Sequence, residues 1–262
     1  MSKTMVSGMN IHYLLEGPES GETVMLSHSL ASNLEMWDSQ VPALVDAGFR
    51  VLRYDTRGHG GSDIPSGPYT MEMLAGDVLG LLDSLGIETV HFCGLSMGGM
   101  IGQILGARSP ERLISLVLSS TSAHMPPAHL WNERIEAVRK GGMESVADAT
   151  IDRWFTGKGR KEMPERVKNV KDIIMSTPSE GFCACCEAIR DMDLREVLSG
   201  IAVPTLVIVG SLDPGTPVSA AEFISSRIES SRLKVIPDAA HFVNVEHPGA
   251  FNDELIGFLA SR

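Results

Sequence analysis

The chain has 262 residues, with 22 lysines and arginines against 33 aspartates and glutamates, giving a formal charge of −11. That length exceeds the ~100–150-residue domain mode but stays within reach of one large α/β domain with a sizeable core. The acidic balance argues against nucleic acid or an anionic membrane as partner, since either calls for a basic face, and it requires that any anionic substrate meet local positive charge.

In chain order, β-rich runs alternate with helical stretches. Ile11–Leu15, Thr23–Ser27 and Arg50–Tyr54 read as early strands, followed by Val90–Cys93, Leu113–Leu118, Thr205–Val209 and Leu233–Ile236. Several are near-continuous apolar runs, as expected of parallel strands covered on both faces. Helical patterns fall at Met36–Ala47, Thr70–Leu85, Met97–Ala107, Pro217–Arg227 and Pro248–Leu259, with Thr70 placed to cap and Pro217 and Pro248 in tolerant first-turn positions. Between about Ala123 and Gly200 the strand patterns disappear. The spacing Ile135, Val138, Met143, Val146, Ile151, Trp154 is helical there, so residues 123–199 are expected to form an inserted helical lid. Residues 1–122 and 200–262 would then form the catalytic core.

No apolar run approaches the ~20 residues of a membrane span. Met1 to Asn10 lacks the charged-then-apolar pattern of a signal peptide. Three of the four cysteines, Cys183, Cys185 and Cys186, crowd into one tetrapeptide, and Cys93 stands apart. That is neither a disulfide framework nor a zinc spacing, so no metal and a reduced, cytoplasmic setting are expected. Small packing in the lid is the simplest role for the cluster.

The sharpest motif is Gly94-Leu95-Ser96-Met97-Gly98-Gly99, set between the apolar run Val90–Cys93 and a helical stretch. In a strand–turn–helix setting, Gly-x-Ser-x-Gly forces the serine into a strained conformation that only small neighbours allow. Ser96 would stand at the carboxyl end of the sheet, with the Met97 N–H free to stabilise developing negative charge.

Serine needs a base, and the base an orienting carboxylate, in the chain order Ser, acid, His. Of the histidines after Ser96, His124 and His129 begin the lid and His247 leads into a helix. His241 follows the last strand in Pro237-Asp238-Ala239-Ala240-His241-Phe242, where small alanines allow close approach. For the acid, Asp213 in Gly210-Ser211-Leu212-Asp213-Pro214 sits just past a strand, and Asp238 is the nearest rival. A second oxyanion donor is expected in Ser27-His28-Ser29-Leu30-Ala31, at the Leu30 N–H, with His28 supporting the loop. Arg57 and His59 read as a loop brace.

Several stretches together resemble the α/β-hydrolase family and, more narrowly, the 3-oxoadipate enol-lactonases. They are Met36–Gln40, Leu52–Gly60 (Leu-Arg-Tyr-Asp-Thr-Arg-Gly-His-Gly), Gly67–Thr70, Phe92–Gln103, Pro110–Leu113, Arg153–Thr156 and the lid segment Cys185–Arg195. The likeness runs through nearly the whole chain, lid included. It implies a mostly parallel sheet flanked by helices, the roles above for Ser96, Asp213 and His241, no cofactor, and a small-molecule ester or lactone as substrate. The enol-lactonase likeness further implies opening of a carboxylated enol-lactone through an acyl-enzyme, in the β-ketoadipate branch of aromatic-compound catabolism.

A substrate carboxylate would be received from the lid. Trp131, Arg134, Arg153, Trp154 and His124 are the candidates, although the arginines could equally be solvated and the tryptophans lid core. One departure stands out: such lactonases tend to read Ser-Asn-Ser-Leu-Gly where this chain has Ser27-His28-Ser29-Leu30-Ala31. It is either neutral or the mark of a different acyl or lactone substrate. A carboxylesterase, an acyl-homoserine lactonase and a slow-turnover hydrolase-fold receptor are the alternatives.

Overall fold

Apolar runs long enough to be buried on both faces put the strands at the centre of the molecule. The computed structural model describes residues 2–261, so Met1 and Arg262, the outermost residues of the expected core, lie outside it. Eight strands form one sheet: β1 (Ser2–Val6), β2 (Met9–Glu16), β3 (Thr23–Ser27), β4 (Arg50–Tyr54), β5 (Val90–Leu95), β6 (Leu113–Ser119), β7 (Thr205–Gly210) and β8 (Ser231–Ile236). Their order is β1-β2-β4-β3-β5-β6-β7-β8. The first two join antiparallel and the rest run parallel. Every residue of β3, β5 and β7 is buried, as a sheet covered on both faces demands.

The helices are α1 (Val41–Asp46), α2 (Met71–Ser84), α3 (Met97–Arg108), α4 (Ala128–Gly141), α5 (Glu144–Trp154), α6 (Gly157–Glu162), α7 (Pro164–Ser176), α8 (Ser179–Asp191), α9 (Val218–Arg227), α10 (Val243–Glu246) and α11 (Pro248–Leu259). Helix α3 lies over β5 and β6 and packs on α2, α9 covers β7 and β8, and α1 rests on β4 and α11. The Thr70 side chain caps α2 by accepting the Met73 N–H at 3.2 Å. Among the described residues no helix is long and apolar enough to cross a membrane.

Two segments differ from the sequence reading. The expected helix Met36–Ala47 is broken into a 3₁₀ turn at Leu34–Trp37 and the short α1. Pro42 explains the break: it lacks an N–H, and its ring would meet the Asp38 carbonyl of a continuous helix. Strand β1 was not foreseen, because Val6 alone among its residues is buried and the segment has no apolar run.

All five helices α4 to α8 lie between β6 and β7. The run from Ile135 to Trp154 is two helices, divided at Gly142, whose φ of +66° suits glycine. Entry and exit of the insertion are tied together: Leu194 N–H donates to the Ala123 carbonyl at 2.7 Å, and His124 bridges to Asp193. On its other side α8 touches the core backbone at Gly181, where an added Cβ would overlap Gly58.

Candidate active site

The parallel strands β3, β5, β7 and β8 all end on the same edge of the sheet, and each is followed by a loop that carries one part of the site. This is the edge at which open α/β sheets receive ligands.

After β5 the chain turns directly into α3 at Ser96, whose φ is +55° and ψ −112°. Such a backbone is costly for a side-chain-bearing residue and marks a site that the surrounding structure over-determines. Ser96 N–H donates to the Ser119 carbonyl at 2.9 Å, and the Ser96 carbonyl accepts from Met100 N–H at 3.0 Å and Thr121 Oγ1 at 2.8 Å. The flanking glycines are required by space: a Cβ at Gly94 would overlap the Gly98 carbonyl, and one at Gly98 the Ser27 carbonyl. The Met97 N–H falls in the first turn of α3, where a helix supplies no acceptor of its own.

After β7, Asp213 is buried and tightly held. Its Oδ1 accepts from Gly215 N–H at 2.8 Å and Thr216 N–H at 3.0 Å, and its Oδ2 from Thr216 Oγ1 at 2.7 Å. After β8, His241 Nδ1 lies 2.8 Å from Asp213 Oδ2. Burial pushes the Asp213 carboxyl up, but the His241 charge and the hydrogen bonds from His241 and Thr216 outweigh it, so the group sits below its ordinary value. A carboxylate at Nδ1 fixes the imidazole tautomer that carries its basic lone pair on Nε2. Asp238, the rival acid, is exposed in a turn at φ +55° and its carbonyl accepts from His247 Nε2 at 3.0 Å.

After β3, the loop Ser27–Ala31 is braced by two buried neutral histidines. His28 Nδ1–H donates to the Ser29 carbonyl at 2.7 Å and its Nε2 accepts Thr56 N–H at 2.9 Å. His59 Nε2 accepts Ala31 N–H at 3.2 Å, while its Nδ1–H faces the Arg57 carbonyl at 3.3 Å. Burial, and then the neighbouring His28, lower the His59 pKa to about 3, and burial lowers that of His28. Ala31 itself has φ +59°. The departure from Ser-Asn-Ser-Leu-Gly thus falls on a buried brace and on a left-handed residue. Arg57 grips Asp77 through two hydrogen bonds at 2.5 Å, away from the cleft.

Ser96, His241, Leu30 and the lid enclose one cleft of about 290 Å³. Trp131, Arg134, Arg153 and Trp154 all line it. Trp131 Nε1–H donates to the Met125 carbonyl at 2.9 Å, and the Arg134 guanidinium lies 4.7 Å over the Trp131 ring. Trp154 stacks on Phe242 with centroids 3.7 Å apart. Arg153 donates to Thr150 Oγ1 at 3.0 Å. Among the described residues neither Arg134 nor Arg153 has an acidic partner. Burial lowers the pKa of both, that of Arg153 to about 10 with the Arg134 charge as a second cause, so both remain cations at neutral pH.

His124 is not brought into this cleft. It stands at the base of the lid, its Nδ1 3.8 Å from Asp193 Oδ2. The three lid cysteines are buried in α8, where desolvation pushes their thiol pKa values up and keeps them protonated. Sequence reading passed over Thr216, which binds Asp213 through both N–H and hydroxyl; a threonine three residues beyond an acid carries no distinctive signal.

Residues 22–141 match the family described by the α/β hydrolase fold. The chain is 39% identical over 242 residues to 3-oxoadipate enol-lactonase 2 of Acinetobacter baylyi, covering 92% of this chain and 90% of that protein. A crystal structure of the enol-lactonase from Burkholderia xenovorans superposes with a TM-score of 0.97 at 40% identity, covering 99% of this chain and 100% of that one. A thermophilic esterase from Thermogutta terrifontis follows the same fold, with a TM-score of 0.94 at 28% identity over 100% of this chain and 99% of that one.

Proposed function

The chain belongs to the α/β-hydrolase family and is a hydrolase, and on that premise we propose that it opens a small carboxylated enol-lactone, 3-oxoadipate enol-lactone, through an acyl-enzyme on Ser96. The observation that carries the substrate class is the pair Arg134 and Arg153: two cations without acidic partners among the described residues, in the cleft shared by Ser96 and His241. A neutral ester has no use for them. The names of the two enol-lactonase relatives support the same reading.

In this mechanism His241 Nε2 takes the Ser96 proton as Oγ attacks the lactone carbonyl, and Asp213 holds the tautomer and stabilises the imidazolium. The tetrahedral oxyanion is received by the N–H groups of Leu30 and Met97; one such donor is worth ~10²–10³ in rate. Collapse breaks the ring C–O bond. The departing enolate takes the proton from His241 and tautomerises to a ketone, leaving the acyl group on Ser96. His241 then deprotonates a water that attacks the acyl carbon, Ser96 recovers its proton, and 3-oxoadipate leaves. Throughout, Arg134 and Arg153 hold the carboxylate that does not react, with Trp131 and Trp154 walling the ring.

Parallel assays on 3-oxoadipate enol-lactone, a neutral aryl ester and an N-acyl homoserine lactone test this reading. The enol-lactone should give the highest kcat/KM; a higher value on the aryl ester or the homoserine lactone overturns the substrate assignment.

A further inference from the structure

Glu246 is a buried carboxylate that the proposed chemistry does not use. It closes α10, five residues past His241, and each of its oxygens is occupied. Oε2 accepts Ala240 N–H at 2.8 Å, and Oε1 accepts Thr156 N–H at 2.9 Å and Thr156 Oγ1 at 2.5 Å. Ala240 is the residue before His241, and Thr156 lies two residues beyond α5, the lid helix that ends in Arg153 and Trp154. One carboxylate therefore joins the loop of the candidate base to the lid.

Other contacts make the same junction from the far side of His241. Phe242 N–H donates to the Trp154 carbonyl at 3.0 Å, and the Phe242 ring stacks on Trp154 at 14° between planes. His241 thus lies between Phe242, which is bonded directly to Trp154, and Ala240, which is joined to Thr156 through the Glu246 carboxylate. Gly159, in the first turns of α6, leaves the space for this carboxylate, since a Cβ there would overlap Glu246 Oε1.

We infer that Glu246 is a positioning residue that fixes His241 relative to the lid, so that substrate contacts on α5 and the proton-accepting imidazole form one rigid unit. The inference rests on the reading of His241 as general base. The chemistry of the clamp explains why a carboxylate is needed: all three partners are donors, and an ionised carboxylate is an acceptor at both oxygens. An amide of the same size would turn one N–H group against a donor. A base displaced by about 1 Å loses on the order of 10²-fold in rate.

The test is Glu246→Gln, with Thr156→Val as a milder variant that deletes one donor and leaves Ala240 bound. Kinetics on 3-oxoadipate enol-lactone are read beside the low-field NMR resonance of the proton between His241 Nδ1 and Asp213. Folded Glu246→Gln should lose ~10–100-fold in kcat, keep its KM within about twofold, and show a shifted or broadened resonance. If Glu246→Gln fails to fold, Thr156→Val carries the test and should lose about threefold or more in kcat at unchanged KM. A folded variant with wild-type kcat and an unmoved resonance overturns the inference, as does a loss expressed in KM alone. The resonance is read without turnover. Retained activity in Ser96→Ala would therefore refute the acyl-enzyme reading on Ser96, while the resonance still decides the role of Glu246.

Discussion

Arg134 and Arg153 repel each other in the cleft that both line: burial and then the charge of Arg134 hold Arg153 at a pKa of about 10, and no acidic side chain among the described residues offsets either. In a chain of net charge −11 this is a local reversal of sign. Global charge does not describe a pocket, and focusing by low-dielectric walls makes such a reversal effective.

The first prediction concerns that pair. Replacing Arg134 or Arg153 by methionine keeps most of the packing and removes one cation. Each loss should raise KM for the anionic enol-lactone by ~10–100-fold, the equivalent of a charge-assisted hydrogen bond of ~1.5–3 kcal/mol. KM for a neutral aryl ester should stay within about threefold. Equal effects on both substrates would assign the arginines to packing alone.

Asp213→Asn should fold as the wild type and lose ~10⁴-fold in kcat, because an amide can hold the imidazole in the wrong tautomer. Thr216→Val removes a hydroxyl that bonds Asp213 Oδ2 and should cost far less. Steady-state kinetics on the enol-lactone check both, and a wild-type rate in Asp213→Asn would exclude Asp213 as the acid.

How much of this was legible in sequence depends on the kind of signal. Strands β3 and β4 fall at the predicted bounds, Thr23–Ser27 and Arg50–Tyr54, because their apolar centres Val24–Leu26 and Val51–Leu52 mark strands covered on both faces. Ser96 was legible because steric demand leaves few residue types for its neighbours. Pro42 was also visible, yet the apolar spacing of Met36, Trp37, Val41 and Leu44 concealed the break it causes. His124 has the right chemistry and lies in the lid, and only the pairing of lid entry with lid exit shows that it faces Asp193 rather than the cleft. Glu246 acts on backbone N–H groups, which no side-chain pattern announces.

The buried neutral histidines predict acid sensitivity. The ordinary histidine value is 6.5, and in the fold His59 is held to about 3. Between those values the unfolded chain takes up a proton that the native state refuses, so stability falls as pH falls through this window and is complete above it. The urea midpoint should drop from pH 7.5 to pH 4.5. In His59→Gln, whose amide oxygen can keep the Ala31 N–H bond without titrating, the drop should be shallower; an unchanged slope would contradict the assignment.

Ala31 offers a test in the opposite direction. At φ +59° it occupies a region that costs an L-residue ~1–2 kcal/mol, against ~0.4–1 kcal/mol of unfolded-state entropy gained by glycine. Ala31→Gly should therefore stabilise the fold by up to about 1 kcal/mol, with kcat on the enol-lactone retained because His59 still holds the loop. Denaturant unfolding gives the first quantity, and a loss of more than about 0.5 kcal/mol would show that the alanine methyl has a packing role.

The most direct measurement is the rate at which wild-type protein and Ser96→Ala, prepared side by side, open 3-oxoadipate enol-lactone. The account predicts saturable turnover by the wild type and a fall of at least ~10³–10⁴-fold in kcat for Ser96→Ala, the residue that forms the new bond. Undiminished hydrolysis by Ser96→Ala, or a wild type that leaves the enol-lactone intact, would contradict it.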